Sequence, residues 1–191
     1  MKIFWGLSDE DYQKFLNQMF AGVPKNFSGR LLEIPVGTGV FSLPLYKNFH
    51  DAEIFCVDYS KEMLAVAKER ARKINLSNVF FQRGDVASLP YPNENFDLIL
   101  SINGLHVFPD KNSAYGETFR ALKRGGIFCG CMYVVGQNFR TDFFVRNFCD
   151  RFSFFTPPHE TLDSLEDRLK KIYARVEITN VKSFAGFVCR K

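Results

Sequence analysis

The fold of this chain is decided by the stretch Leu31-Leu32-Glu33-Ile34-Pro35-Val36-Gly37-Thr38-Gly39. Its apolar residues predict a buried strand over residues 31–36, and the glycines that follow predict a turn into a short helix. Glycines let a backbone turn sharply and approach a ligand closely, and a helix N-terminus offers free N–H groups to an anion. The stretch thus predicts a ligand-binding turn, a feature that many α/β proteins share.

Around this turn, short apolar runs alternate with helical stretches. Helices are predicted over residues 8–20, from Ser60 to about Lys73, and from Asp110 to a stop at Gly125. Further strands are predicted at residues 54–57, 79–81, 96–100 and 127–135. Alternation of this kind indicates a parallel sheet with right-handed crossovers.

The end of the chain departs from this alternation. Two strand-like runs, residues 176–181 and 186–189, are joined by only a few residues. Parallel neighbours need a crossover of about a dozen residues or more, so these two runs are predicted to form an antiparallel hairpin at one edge. The predicted fold class is therefore α/β: a seven-stranded, mostly parallel sheet with a C-terminal antiparallel hairpin and helices on both faces.

Composition bounds the class of protein. The chain has 191 residues, 46% apolar and 24% charged, as expected of one globular domain. The net charge of +4 is dispersed, which argues against a nucleic-acid partner. The apolar run at residues 1–7 is too short for a signal peptide, and no stretch approaches the ~20 apolar residues of a membrane span. Five cysteines without a Cys-x-x-Cys pair predict neither disulfides nor a metal site, and favour a cytoplasmic location.

Two carboxylates follow the next two predicted strands. Asp58 comes 19 residues after Gly39, where a carboxylate can accept hydrogen bonds from both hydroxyls of a ribose. Asp85 ends the third strand, where a carboxylate can receive the amino group of adenine. Open α/β sheets bind ligands at the carboxyl ends of their strands. The dinucleotide fingerprint needs a third glycine where this chain has Ser42, which argues against NAD.

These motifs resemble those of class I S-adenosylmethionine (SAM) dependent methyltransferases. Glu33-x-Pro35-x-Gly37-x-Gly39 is similar to the family's first motif, acidic-x-Gly-x-Gly-x-Gly, with Pro35 in place of a glycine. The family's later motifs are matched by residues 58–64, 84–86, 89–90, 96–99 and 122–126 of this chain. The likeness therefore covers about residues 30–135. The likeness is nearest to the small-molecule branch that includes quinone-biosynthesis methyltransferases, and it implies a Rossmann-like fold with SAM as cofactor.

The resemblance implies a role for each matched position. Glu33 would hold the methionine amino group through water, Asp58 would bind the ribose hydroxyls, and Asp85 would bind the adenine edge. Asn103 would lie beside the site of methyl transfer. The cofactor-binding residues implied are Glu33, Pro35, Gly37, Thr38, Gly39, Asp58, Tyr59, Asp85, Val86 and Asn103.

Each of these residues also has a structural interpretation. The glycines can serve turn geometry alone, Asp58 can favour the dipole of the following helix, and Asp85 can be an ordinary turn residue. Glu33, if buried, can have a structural partner. For Met63, although it lies within a motif, a core position is favoured over ligand contact.

His106 is the best candidate for a catalytic base. It lies just past the fourth strand, and the ordinary pKa of histidine, about 6.5, suits proton removal at neutral pH. The alternative is a packing or positioning histidine. The same loop lacks the Asn/Asp-Pro-Pro-aromatic motif of the family's amino-methylating nucleic-acid enzymes, which favours a small-molecule acceptor.

The segment 136–172 is predicted to be helical and is rich in phenylalanine, with Arg140, Arg146 and Arg151 interleaved. One hypothesis is a pocket for an apolar or aromatic acceptor, with an arginine for an anionic group. The alternatives are a helix packed on the core and the face of a homodimer. As one domain, the chain would comprise a cap helix over the cofactor (1–27), a SAM-binding core (28–135), this substrate-side segment and the hairpin (173–191).

The sequence therefore predicts an enzyme that transfers a methyl group from SAM to a small-molecule acceptor. Two alternatives stay open. The first is a SAM-binding protein without catalysis, and the second is a nicotinamide-dependent oxidoreductase.

Overall fold

The computed structural model describes residues 7–152 and 154–191. The helices are α1 (Asp9–Met19), α2 (Leu43–Tyr46), α3 (Lys61–Lys73), α4 (Lys111–Ala121), α5 (Phe139–Phe144) and α6 (Leu162–Ile172). The strands are β1 (Gly29–Glu33), β2 (Ala52–Asp58), β3 (Val79–Arg83), β4 (Phe96–Ile102), β5 (Leu122–Tyr133), β6 (Arg175–Val181) and β7 (Phe184–Arg190). Residues 1–6, which make up most of the run judged too short for a signal peptide, lie outside the described residues.

The seven strands form one sheet in the order β3-β2-β1-β4-β5-β7-β6. Strands β1 to β5 pair in parallel, and β7 runs antiparallel to both β5 and β6. The predicted fold class, including its C-terminal hairpin, is confirmed. Strand β1 lies between β2 and β4, where the strand order reverses. Open α/β sheets bind ligands at the carboxyl ends of the strands beside such a reversal.

Successive residues of the central strands face opposite sides of the sheet, and helices cover both sides. Leu32 of β1 belongs to a buried cluster with Tyr115 of α4. Its neighbour Leu31 belongs to a different cluster with Leu64 of α3. The carboxyl ends of the strands are thus held in a fixed frame by packing on two faces.

Two strand boundaries differ from their prediction by three residues or more. β1 ends at Glu33 and not at residue 36, because Pro35 has no N–H group to pair with a neighbouring strand. β5 begins at Leu122 and not at residue 127, since Leu122 is buried and already pairs with Phe96. Gly125 consequently lies within β5, so its prediction as the stop of α4 is wrong.

Helix α1 packs on the face of β5 and β7. Phe15 and Met19 are buried in a cluster with Tyr133 and Phe184, and the Gln18 amide donates to the carbonyl of Phe184 at 3.0 Å. The sequence predicted that this N-terminal helix closes over the cofactor. The structure holds it against the strands that lead into the terminal hairpin, and its closure over the cofactor stays a prediction.

Candidate active site

A cavity of about 660 Å³ opens at the carboxyl ends of β1 to β4. Seven of the ten predicted cofactor residues line it, namely Pro35, Gly37, Asp58, Tyr59, Asp85, Val86 and Asn103. The volume is within the range of about 300–1,000 Å³ that small-molecule sites occupy. The fold therefore brings residues from four strand ends into one site.

The other three predicted residues line a second, smaller cavity. Glu33, Thr38 and Gly39 belong to the walls of a space of about 150 Å³. The two cavities have Gly37 and Asn103 in common. One ligand with two parts can thus extend from the large cavity into the small one past these two residues.

The turn between the cavities is fixed by Asp58. Its Oδ2 accepts a hydrogen bond from the N–H of Gly37 at 2.7 Å, and its Oδ1 accepts one from the N–H of Ser60 at 2.9 Å. Gly37 needs its glycine character because its φ of 54° is unfavourable for other residues. Each carboxylate oxygen has a second lone pair, so Asp58 can still accept hydrogen bonds from a ligand.

Asp85 and Tyr59 form the outer side of the large cavity. The Asp85 carboxylate accepts a hydrogen bond from the N–H of Ala87 at 2.9 Å and so caps a short 3-10 turn, Val86–Ser88. The Tyr59 ring is 69% exposed, and the guanidinium of Arg83 lies 5.5 Å from its centroid. An exposed aromatic ring facing a cavity can stack on a flat heterocycle.

Glu33 lies at the buried end of the small cavity. It accepts a hydrogen bond from the hydroxyl of Tyr46 at 2.8 Å and from the thiol of Cys56 at 3.7 Å. Burial raises the pKa of the Glu33 carboxyl to about 7, because the charged form loses its hydration. Glu33 thus has structural partners, and near neutral pH its carboxyl group is poised between its two protonation states.

Asn103 stands where β4 leaves the sheet. Its φ is 53°, a conformation that asparagine tolerates better than most residues. Its N–H donates to the carbonyl of Cys131 at 2.8 Å, and its side-chain oxygen accepts from the Cys131 thiol at 3.6 Å. These two contacts with β5 hold Asn103 between the two cavities.

His106 does not line either cavity. It is buried, and its Nδ1 accepts a hydrogen bond from the N–H of Tyr133 at 3.2 Å. The ring of Phe155 lies 4.1 Å from its own ring. Burial lowers the pKa of His106 to about 3, which makes the imidazole a weak base. These contacts favour the packing alternative for His106.

Sequence reasoning missed part of the cavity wall. Val107, Phe108 and Pro109 line the large cavity, although no motif singles them out. Met63 also lines it and is 44% exposed, so the prediction of a core position for this residue is wrong. Ser60 caps α3 by accepting the N–H of Met63 at 3.1 Å, and this starts the helix beside the cavity.

The phenylalanines of the substrate-side segment form neither of these walls. Phe139, Phe143 and Phe148 are exposed, and so are Phe152 and Phe154. The segment contributes other residues to a separate polar cavity, namely Pro158, His159, Glu160, Ser164 and Arg168. The hypothesis of an aromatic acceptor pocket in this segment is therefore not supported by the lining of the described cavities.

Comparisons with known proteins show the family of this chain. A family model described as a methyltransferase domain matches residues 27–176, and the chain belongs to that family. It is 36% identical over 128 residues to demethylmenaquinone methyltransferase of Leptospira interrogans. The aligned region covers 62% of this chain and 51% of that protein. The chain spans about half or less of the length of the curated relatives it matches.

Solved structures share the fold. The YcgJ protein of Bacillus subtilis is 26% identical, with a TM-score of 0.72 over 88% of this chain and 71% of that chain. Phosphoethanolamine N-methyltransferase 2 of Haemonchus contortus was solved with phosphomonomethylethanolamine and S-adenosylhomocysteine. It is 20% identical, with a TM-score of 0.79 over 94% of this chain and 52% of that chain.

Proposed function

We propose that this chain transfers a methyl group from SAM to a small-molecule acceptor. The observation that carries the proposal is the Asp58 carboxylate, fixed at 2.7 Å from the N–H of Gly37 in the wall of the large cavity. A carboxylate at the end of the second strand suits a ribose, and the chain belongs to a methyltransferase family. This membership argues against the nicotinamide-dependent oxidoreductase considered from the sequence.

The donor set of the two cavities fits SAM. Asp58 would accept the ribose hydroxyls, Tyr59 and Val86 would flank the adenine, and Asp85 would receive its amino group. The remaining predicted residues, Glu33, Pro35, Gly37, Thr38, Gly39 and Asn103, would surround the methionine part. A buried carboxyl group at the end of the small cavity is the partner that a cationic amino group requires.

SAM supplies a methyl group made electrophilic by its sulfonium, and the thioether that leaves is neutral, so no catalytic acid is required. The protein's part is orientation and the exclusion of water. Val107, Phe108 and Pro109 give the large cavity an apolar wall next to Asn103. Correct placement of two reactants can lower a barrier by about 7–11 kcal/mol in ideal cases.

His106 fits a positioning role in this mechanism. By accepting the N–H of Tyr133, it ties the loop after β4 to the end of β5. A buried imidazole with its pKa lowered to about 3 has little driving force to remove a proton from an acceptor. We assign it to packing and not to proton transfer.

The acceptor that we favour is an apolar molecule of the quinone type. The Leptospira interrogans relative is named for demethylmenaquinone, and the resemblance seen in the sequence is nearest to the quinone-biosynthesis branch. For location we favour the cytoplasm, because all five cysteines are free and buried, as in a reducing compartment.

Calorimetric titration with SAM, S-adenosylhomocysteine and NADH tests the cofactor. We expect micromolar dissociation constants for the first two ligands and no binding of NADH. Failure of SAM to bind would overturn the proposal. If SAM binds, incubation with radiolabelled SAM and a panel of quinols separates an enzyme from a non-catalytic SAM-binding protein, since only an enzyme moves the label into an organic extract.

A further inference from the structure

One surface of the protein is unusually apolar. Of the large apolar side chains that are exposed in the described residues, half lie within positions 139–154. They are Phe139, Phe143, Phe148, Phe152 and Phe154, with exposed fractions between 43% and 83%. We call these five residues the phenylalanine face. Apolar side chains exposed as a group, unlike single scattered ones, mark an interaction site.

The phenylalanine face consists of two groups of rings in contact. The rings of Phe148 and Phe152 lie 4.8 Å apart, and Phe154 lies within 6.3 Å of both. Phe139 and Phe143 form a second pair at 6.4 Å. Beneath the face, Val145 and Cys149 are buried in the core, so the segment is fixed to the body of the protein.

The free charge of this segment is positive. Arg140, Arg146 and Arg151 are exposed, and none of them forms an ion pair within residues 7–152 and 154–191. The two carboxylates within positions 139–154 have partners. Asp142 accepts the hydroxyl of Tyr133 at 2.7 Å, and Asp150 binds His159 at 2.9 Å. The phenylalanines of the face are therefore interleaved in sequence with three exposed arginines that have no ion-pair partner among the described residues.

This charge decides between two occupants. In a symmetric dimer the face would meet its own copy, so the arginines of both copies would approach one another without acidic partners. An anionic lipid surface offers phosphates to the guanidinium groups and accepts apolar side chains at the boundary between the headgroups and the acyl chains. The combination of aromatic and basic residues fits the lipid surface better.

We propose that the phenylalanine face docks this protein onto the surface of an anionic lipid bilayer. No helix in the described part of the chain is long and apolar enough to cross a membrane. The proposed contact lies in the interface, with the phenylalanines among the acyl chains and the arginines at the phosphates. The inference goes beyond the proposed methyl transfer and does not rest on it.

Sedimentation with vesicles tests the proposal. Vesicles of equal parts phosphatidylglycerol and phosphatidylcholine should carry the wild-type protein into the pellet, and vesicles of phosphatidylcholine alone should carry much less. Phe152→Ser with Phe154→Ser should weaken vesicle binding by at least about ten-fold, since the protein loses two rings that would be buried in the lipid. Arg146→Gln with Arg151→Gln should weaken binding to the anionic vesicles roughly 30-fold. Added salt should also weaken the binding of the wild-type protein, because it screens the charges.

The matched control is Phe80→Ser, because Phe80 is 50% exposed but lies on the edge strand β3. Its vesicle binding should equal that of the wild type. Equal losses in this control and in the Phe152/Phe154 variant, or no wild-type binding to anionic vesicles, would overturn the proposal. So would a lipid-free dimer that the Phe152/Phe154 variant abolishes, because the face would then bind a second copy. SAM titration and thermal melting of each variant report separately on the cofactor site and on folding.

Discussion

The ring of Pro35 occupies the space that a Cβ atom at position 104 would need. An ideal Cβ built on Gly104 would overlap Cδ of Pro35 and also meet the hydroxyl oxygen of Ser101. Position 35 is where this chain departs from the glycine of the family's first motif. A glycine on the neighbouring strand end accommodates that departure, so the two positions act as a pair.

Gly104→Ala should therefore disturb the cofactor cavity through Pro35. We expect a loss of about 1–3 kcal/mol of stability, as for other overpacked sites, and about ten-fold weaker SAM binding. Melting curves and calorimetry measure both effects. Gly116→Ala is the control, because a Cβ at this exposed position of α4 meets nothing within 4 Å and should keep or raise stability.

Pro35→Gly should rescue the Gly104→Ala variant, because it removes the ring that the new methyl group meets. A double-mutant cycle then gives a coupling free energy of about 1 kcal/mol or more. If the effects of the two substitutions were simply additive, the Pro35–Gly104 contact would have no energetic role.

Asp58→Ala should weaken SAM binding by roughly 10–100-fold, from the loss of charge-assisted hydrogen bonds worth about 1.5–3 kcal/mol. Asp58→Asn keeps one oxygen acceptor and should lose less. Asp58 also accepts the N–H of Gly37 at 2.7 Å, so either substitution can disturb the turn itself. Thermal melting of both variants therefore has to accompany calorimetry. A dissociation constant unchanged in Asp58→Ala would refute the ribose assignment.

Glu33 should make SAM binding release protons at neutral pH. Its pKa is about 7 in the protein without ligand, and a cationic amino group bound nearby would lower that pKa. At pH 7 the carboxyl is about half protonated, so binding should release up to about half a proton. Calorimetry in buffers of different ionisation enthalpy measures this number.

Glu33→Gln should abolish the release, whereas Glu53→Gln, an exposed glutamate on β2 that pairs with Arg30, should leave it unchanged. Proton release that persists in Glu33→Gln would mean that the methionine part lies elsewhere, even if SAM itself still binds.

His106 should make the protein less stable in mild acid. The pKa of the folded-state imidazole is about 3 and that of the unfolded state about 6.5, so the unfolded chain binds a proton first as the pH falls. The stabilisation is complete above about pH 6.5 and decreases by about 1.4 kcal/mol for each pH unit below it, down to about pH 3.

His106→Asn should flatten the decline between pH 6.5 and pH 5. The substitution removes the titrating group but keeps a side-chain oxygen that can accept the N–H of Tyr133. Denaturant unfolding of both proteins across this range makes the comparison. The same variant should keep methyl transfer within a few-fold of the wild type. A loss of kcat by a factor of about 100 or more would restore His106 as a base.

The sheet and the residues at the strand ends could be predicted from the sequence, because both depend on local pattern. The hairpin followed from the short connection between its two strands, and Asp58 and Asp85 followed from their places after strands. These inferences need no knowledge of distant contacts. They are the part of the fold that periodicity and connection length determine.

The rest depends on contacts between distant parts of the chain. The early start of β5 requires Leu122 to meet Phe96, and the position of α1 requires Phe15 to meet Phe184. The burial of His106 depends on Tyr133 in the same way. Hydrophobic periodicity gives no information about such contacts. The sequence left open whether the phenylalanine face packs on the core or is exposed as a dimer face, since its apolar residues resemble core residues in sequence.

The junction of the two cavities at Gly37 and Asn103 has a consequence for inhibition. A ligand that spans the junction binds its second half at the high effective concentration that a covalent tether provides. Adenosine and methionine supplied as separate molecules lack this advantage and would compete poorly. On the proposed placement of SAM, a nucleoside analogue alone would fill the larger cavity and would leave Glu33 without a counter-charge. Effective inhibitors should therefore carry a slender linker ending in an amine.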